Sequence, residues 1–132
     1  SSNAEIYLPH LKRLDITTLR AVVSFRVPAL RELSIMDVDI EEVLNYRDFA
    51  PTVTKLRLDR IVSMPEAEWD SLESLSVVPT RYTGATVIPR IPWLTTLTTT
   101  EPVTTNGKLV SNIEEYRAAW GLVGKKGAGS CR

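Results

Sequence analysis

Leu8-Pro9-His10-Leu11-Lys12-Arg13-Leu14-Asp15-Ile16 recurs as Val27-Pro28-Ala29-Leu30-Arg31-Glu32-Leu33-Ser34-Ile35 and again as Ala50-Pro51-Thr52-Val53-Thr54-Lys55-Leu56-Arg57-Leu58. Two further units keep the spacing, Leu72-x-x-Leu75-x-Val77 and Leu94-x-x-Leu97-x-Thr99. Fourteen of the fifteen template positions are aliphatic, Thr99 being the exception. A chain that is 43% hydrophobic places about 6 there by chance. Successive first positions lie 19, 23, 19 and 22 residues apart. Pro stands two residues ahead of four units, at Pro9, Pro28, Pro51 and Pro92; Asp70 replaces it in the fourth.

A period of about 21 residues carrying L-x-x-L-x-L is a leucine-rich-repeat signature. The L-x-L step puts both aliphatic side chains on one face of a short strand and its neighbours on the other. One such strand cannot bury its apolar face alone, whereas stacked copies share a continuous core. The spacing therefore predicts an α/β chain: a short leucine-rich-repeat solenoid of about five parallel strands with helical or irregular returns. Asp39 to Leu44 reads as a helix, with an N-cap, first-turn acids and an apolar set at Ile40, Val43 and Leu44. Thr18 to Arg26 reads as a shorter one with Leu19, Val22 and Val23 inward, and Met64 to Trp69 as a third with Pro65 in its first turn. Thr80 to Gly84 reads as a loop.

The pattern changes after the fifth unit. Thr95 to Thr105 holds seven Thr in eleven residues, and Asn106-Gly107 is a turn dipeptide. Ser111-Asn112-Ile113-Glu114 reads as a capping box that opens a helix to about Trp120, with Ile113, Tyr116 or Arg117, and Trp120 inward. This helix is expected to cap the last repeat. The expected organisation is residues 1–4 as the scar of a removed purification tag, 5–105 as the repeats, 106–121 as the cap helix and 122–132 as a flexible tail.

Composition narrows the function. The chain has 132 residues with 16 Lys plus Arg against 16 Asp plus Glu, and zero net charge argues against a nucleic-acid partner or a polybasic membrane anchor. No apolar run reaches the ~18 residues of a membrane span. Cys131 and His10 are the only residues of their kinds, which excludes a disulfide framework and a Cys/His zinc site within the chain. No metal and no cofactor is expected, and the absence of a signal peptide and of disulfides points to an intracellular, cytoplasmic or nuclear, setting. His10 has no neighbouring nucleophile motif, and Cys131 lies in a Gly-Ser tail without a positioned base. Glu41-Glu42 and Glu114-Glu115 fit helix first turns, Asp37 and Asp39 lack the company a calcium loop needs, and Gly124-Lys125-Lys126-Gly127 lacks phosphate-loop spacing. No catalytic residues are expected.

The three Pro-containing units resemble the leucine-rich repeats of fungal F-box proteins, which use "LPxLxxLxI" and "APALxELxI" units separated by short helices; Ile40-Glu41-Glu42-Val43-Leu44-Asn45-Tyr46 is similar to their "IxxVLxF" helix. The resemblance covers roughly residues 8 to 100. It implies an α/β repeat fold and, in the whole protein, an F-box that docks on the adaptor of an SCF-type ubiquitin ligase while the repeats receive substrate. No F-box is visible here, so the chain corresponds at most to the substrate-recognition half. Leu19, Val38, Ile61 and Thr80 stand where many extracellular repeats carry Asn, which favours the intracellular varieties.

The candidate binding surface is the concave sheet face, formed by the residues between the strand aliphatics: Arg13, Asp15, Glu32, Ser34, Lys55, Arg57, Ser74, Ser76, Thr96 and Thr98. Charge gathers in the first three units and hydroxyls in the last two. One reading is a recognition strip for a protein or peptide, with Arg57 and Arg13 as anchors. Another is a solvated sheet face on a structural fragment that self-associates end to end through its first strand. A small enzyme is disfavoured, because no nucleophile, base or metal set can be discerned. Trp69 and Trp93 fall at repeat starts and suit core edges, and Trp120 suits an anchor for the cap; an exposed aromatic ligand site shared by the three is the alternative.

Overall fold

A computed structural model describes residues 4–17, 23–36, 50–61, 63–64, 66–79 and 85–122. In chain order the strands are β1 (Ala4–Tyr7), β2 (Arg13–Thr17), β3 (Val23–Arg26), β4 (Glu32–Met36), β5 (Lys55–Asp59), β6 (Ser74–Val78), β7 (Thr96–Thr99), β8 (Val103–Thr105) and β9 (Lys108–Val110), followed by helix α1 (Ile113–Ala119). The fold is α/β, with a five-stranded parallel sheet in the order β2-β4-β5-β6-β7 and one C-terminal helix. The five strands are those of the five L-x-x-L-x-L units, each beginning two residues after the first aliphatic position.

One hydrogen-bonding device recurs along this sheet. The carbonyl of Lys12 accepts the N–H groups of both Arg31 and Glu32, at 2.8 and 2.9 Å. The carbonyl of Arg31 serves Thr54 and Lys55 in the same way, that of Thr54 serves Glu73 and Ser74, and that of Glu73 serves Thr95 and Thr96. These positions are equivalent in every unit, so each unit is registered on the last before its strand begins. The prolines prepare the approach. Leu11, Leu30 and Leu94 N–H groups bond back to Leu8, Val27 and Ile91 carbonyls across Pro9-His10, Pro28-Ala29 and Pro92-Trp93, turns in which proline supplies the required φ at the second position.

The register aligns like with like. Leu14, Leu33, Leu56, Leu75 and Leu97 form one row across the sheet, and Ile16, Ile35, Leu58, Val77 and Thr99 the next. From Leu33 onward the aliphatic members of both rows are buried, and they join Val27, Leu30, Val53, Leu72 and Leu94 in one core.

The returns differ from expectation. Val23–Arg26, expected to end a helix, is strand β3 and pairs in parallel with β1. Its Val-Ser-Phe-Arg alternation has the two-residue period of a strand, and β-branched and aromatic residues suit a pleated surface. Ala4, set aside with the tag scar, is the first residue of β1 and partners Val23. Between Met64 and Trp69 the described residues form no helix: Ser63 bridges Val87, Met64 N–H donates to the Val87 carbonyl, and Trp69 is buried. So short a segment cannot offset the cost of helix nucleation when neighbouring backbone offers partners. The expected helix at 39–44 and loop at 80–84 lie outside the described residues.

The Thr-rich segment is divided between β7 and the first strand of a hairpin. β8 and β9 pair antiparallel around Asn106-Gly107, both with positive φ (50° and 74°), as a two-residue type I′ connection requires. The helix begins one residue later than the capping-box reading: Asn112 is the N-cap, its Oδ1 accepting from Glu115 N–H at 2.9 Å, while Glu115 Oε1 accepts from Ser111 N–H at 2.8 Å. Capping therefore falls to Asn112 and Glu115, the carboxylate reaching past the N-cap to the Ser111 N–H, because Asn accepts as well as Ser. The helix ends in a Schellman motif: Leu122 N–H bonds the Arg117 carbonyl and Gly121 N–H, at φ 69°, bonds that of Ala118. Leu122, assigned above to the flexible tail, instead packs partly buried against the core; residues 123–132, with Cys131, lie outside the described residues.

Polar contacts tie the helix down. Tyr116 is fully buried; its hydroxyl donates to the Pro89 carbonyl at 2.6 Å and accepts from Ile91 N–H at 2.7 Å. Trp120 Nε1 donates to Thr105 Oγ1, Arg117 reaches the Leu94 carbonyl, and Asn106 Nδ2 bonds the Ala119 carbonyl. These contacts anchor the C-terminal helix to the strands and turns beside it. Burial raises the Tyr116 phenol well above its ordinary value of 10.0, outweighing the Ile91 hydrogen bond and the nearby Arg90 and Arg117 charges.

Two measurements check this architecture. Leu56→Ala should cost about 2–5 kcal/mol in denaturant unfolding as a core truncation; wild-type stability would contradict the register. Tyr116→Phe should cost about 1–3 kcal/mol by orphaning buried backbone groups. Because the folded phenol holds its proton more tightly than the unfolded one, its contribution is intact below pH 10 and declines above it, so wild type should lose more stability than Tyr116→Phe as pH rises past 10.

Candidate functional site

The face opposite the aliphatic rows carries two polar rows. Arg13, Glu32, Lys55, Ser74 and Thr96 align in the first, and Asp15, Ser34, Arg57, Ser76 and Thr98 in the second. Neighbouring strands lie about 4.8 Å apart, so charges of opposite sign stand side by side at Arg13, Glu32 and Lys55. All ten predicted residues are on this face and none is buried. Eight of them, Arg13, Asp15, Glu32, Ser34, Lys55, Arg57, Ser74 and Ser76, line one open concavity of about 500 Å³, completed by Leu33 and Leu56. Thr96 and Thr98 share the face but lie beyond that concavity.

A third row, Thr17, Met36, Asp59 and Val78, closes the strand ends. Asp59 was not singled out from sequence, yet it organises the adjoining cations. Its Oδ2 lies 3.5 Å from Arg57 Nη2 and its Oδ1 3.7 Å from Arg60 Nε. Arg60 adopts a left-handed φ of 58°, and its N–H donates to the Val78 carbonyl. Asp59 is only 9% exposed, so its charge needs these partners. Arg57 therefore has a structural duty in addition to its place on the strip, whereas no ion pair or hydrogen bond among the described residues engages the side chains of Arg13 and Lys55.

A second concavity, of about 390 Å³, lies at the starts of β5, β6 and β7 and is lined by Thr54, Asp70, Ser71, Glu73, Trp93 and Thr95. Sequence reasoning did not gather these residues. The one available signal was Asp70, where the other units have Pro. Trp69 is buried at 1% exposure, whereas Trp93 is 48% exposed and is the one of the two that lines this concavity. His10 is exposed. Among the described residues no group of three or more His, Cys, Asp or Glu is placed to hold a metal ion, and no helix is long and apolar enough to cross a membrane.

No protein-family model, curated protein or solved structure matches the chain. The reading of the site therefore rests on its own geometry.

The dual role of Arg57 is measurable. Arg57→Glu removes a half-exposed ion pair of about 0.2–1 kcal/mol and sets a like charge beside Asp59, so it should lower the thermal midpoint. Lys55→Gln, which sets no like charge beside its strand neighbour Glu32, should leave the midpoint unchanged. Added salt should narrow the gap.

Proposed function

We propose that this chain is a protein-interaction module of leucine-rich-repeat type, non-catalytic, whose concave sheet face receives a protein or peptide. The observation that carries the reading is the convergence of Arg13, Asp15, Glu32, Lys55 and Arg57 with three serines on one open concavity. Arg13, Asp15, Glu32 and Lys55 form no ion pair with one another there despite lying in adjacent strands. Charges held at strand spacing on a rigid sheet suit an extended ligand of alternating charge, since complementary potential gives register and specificity. Repeat architectures offer such surfaces because each unit adds one strand to the same face.

The test uses a displayed random peptide library panned on the folded protein. Enriched clones should carry both acidic and basic residues and should bind Arg13→Gln/Lys55→Gln at least tenfold more weakly, with its melting unchanged. Absence of enrichment, or equal binding to the double variant, overturns the reading.

The resemblance of the units at residues 8–16, 27–35 and 50–58 to fungal F-box proteins supports a more specific assignment: substrate recognition within a ubiquitin-ligase subunit, in an intracellular setting. An F-box encoded ahead of residue 5 in the full reading frame is the expected finding. Its absence removes the ligase role and leaves the binding role.

A second reading is favoured by the unequal ends. Among the described residues β2 has a hydrogen-bonded neighbour on one side only, Leu8, Leu11 and Leu14 are partly exposed, and Ile6 and Tyr7 are exposed. An open edge with apolar surroundings is a template for pairing with another chain. End-to-end self-association should then appear as a concentration-dependent mass that is lost on removing residues 5–16. A constant monomer mass overturns it.

A further inference from the structure

The second concavity has a chemical bias that the binding strip lacks. Thr54 Oγ1 donates its proton to the Arg31 carbonyl, Ser71 Oγ to that of Pro51 at 2.6 Å, and Thr95 Oγ1 to that of Glu73 at 3.2 Å. A hydroxyl has one proton, so all three oxygens have only lone pairs left for a ligand. Asp70 and Glu73 are exposed carboxylates, which accept and do not donate when ionised. Half of the Trp93 surface is open, and the face of an indole is the best aromatic surface for a cation. Apart from the indole N–H, the side chains lining this concavity are acceptors or π surface.

The residues responsible are departures from the repeat. Asp70 replaces the proline found at Pro9, Pro28, Pro51 and Pro92. Trp93 holds a position occupied by His10, Ala29, Thr52 and Ser71 in the other units, and Glu73 one occupied by Lys12, Arg31, Thr54 and Thr95. All three are exposed, so core packing does not account for them, yet they meet in one concavity. Its volume, about 390 Å³, is within the range of small-ligand sites.

We propose that this concavity binds an arginine side chain presented by a peptide, with the guanidinium stacked on Trp93 and its N–H groups directed to Asp70, Glu73 and the three hydroxyl oxygens. Guanidinium fits better than ammonium: it is planar, stacks on aromatic faces and spreads five donors over several acceptors. The site is independent of the strip reading. Thr54, Glu73 and Thr95 immediately precede Lys55, Ser74 and Thr96, so it adjoins the strip without sharing a residue with it.

The experiment titrates the full chain with the capped tripeptide acetyl-Gly-Arg-Gly-amide and follows the indole N–H resonance of Trp93, assigned with Trp93→Phe. A saturable shift is expected with the arginine peptide, a weaker one with its lysine counterpart and none with its glutamine counterpart. Asp70→Asn and Glu73→Gln should each raise Kd about two- to fivefold. Arg13→Gln/Lys55→Gln should bind no more weakly than wild type, which separates this site from the strip. For wild type alone, raising salt from about 0.05 to 0.5 M should weaken binding. The proposal is overturned by no saturable shift, by equal response to the glutamine or lysine peptide, by salt-independent binding, or by unchanged Kd in both carboxylate variants.

Discussion

Four backbone carbonyls, those of Lys12, Arg31, Thr54 and Glu73, each receive two N–H groups from the next unit, and the lateral order of the main sheet follows from them. Side chains alternate along a strand with period two, so a slip of one residue would exchange the aliphatic rows with the charged ones. The shared acceptor sits immediately before each strand and excludes that slip. It places Leu33 beside Leu56 and Leu75 on the core side, and Glu32 beside Lys55 and Ser74 on the other. Core and candidate surface are two consequences of one registration.

The two ends of the sheet are finished differently. At the far end α1 packs against β7 and β9, and the fully buried Tyr116 bonds both Pro89 and Ile91. Its hydroxyl satisfies two backbone groups, the Pro89 carbonyl and the Ile91 N–H, as burial demands. At the near end the first aliphatic positions, Leu8, Leu11 and Leu14, are only partly buried, whereas Val27, Leu30 and Leu33 one unit later are essentially covered. The gradient follows from stacking: a unit's apolar face is sealed by neighbours on both sides.

The same strands set up two surfaces of different character. The strip mixes cations, acids and hydroxyls across three strands, a pattern suited to an extended partner. The neighbouring concavity, just ahead of β5, β6 and β7, has its hydroxyl protons committed to backbone carbonyls and offers acceptors beside an indole. Asp59 shows a third use of charge: nearly buried at the strand ends, it holds Arg57 and Arg60 close and ties part of the strip to stability.

The period of about 21 residues, with aliphatic side chains at fixed offsets, determined the strands of the main sheet, their shared faces and the ten residues of the strip. It could do so because strand alternation and repeat spacing are local properties, written within each unit. The N-G turn and the cap helix were legible for the same reason, although the N-cap fell on Asn112 because capping depends on which side chain reaches which N–H. Only the tertiary structure decided that Val23–Arg26 is a strand paired with Ala4–Tyr7, that the described residues between 64 and 69 form no helix and that the end of the Thr-rich segment enters a hairpin. Those outcomes depend on backbone partners many residues away, which no window of sequence contains. The acceptor-lined concavity belongs with them: its residues come from three units, and their spent protons become visible only once the carbonyls of the preceding turns are in place.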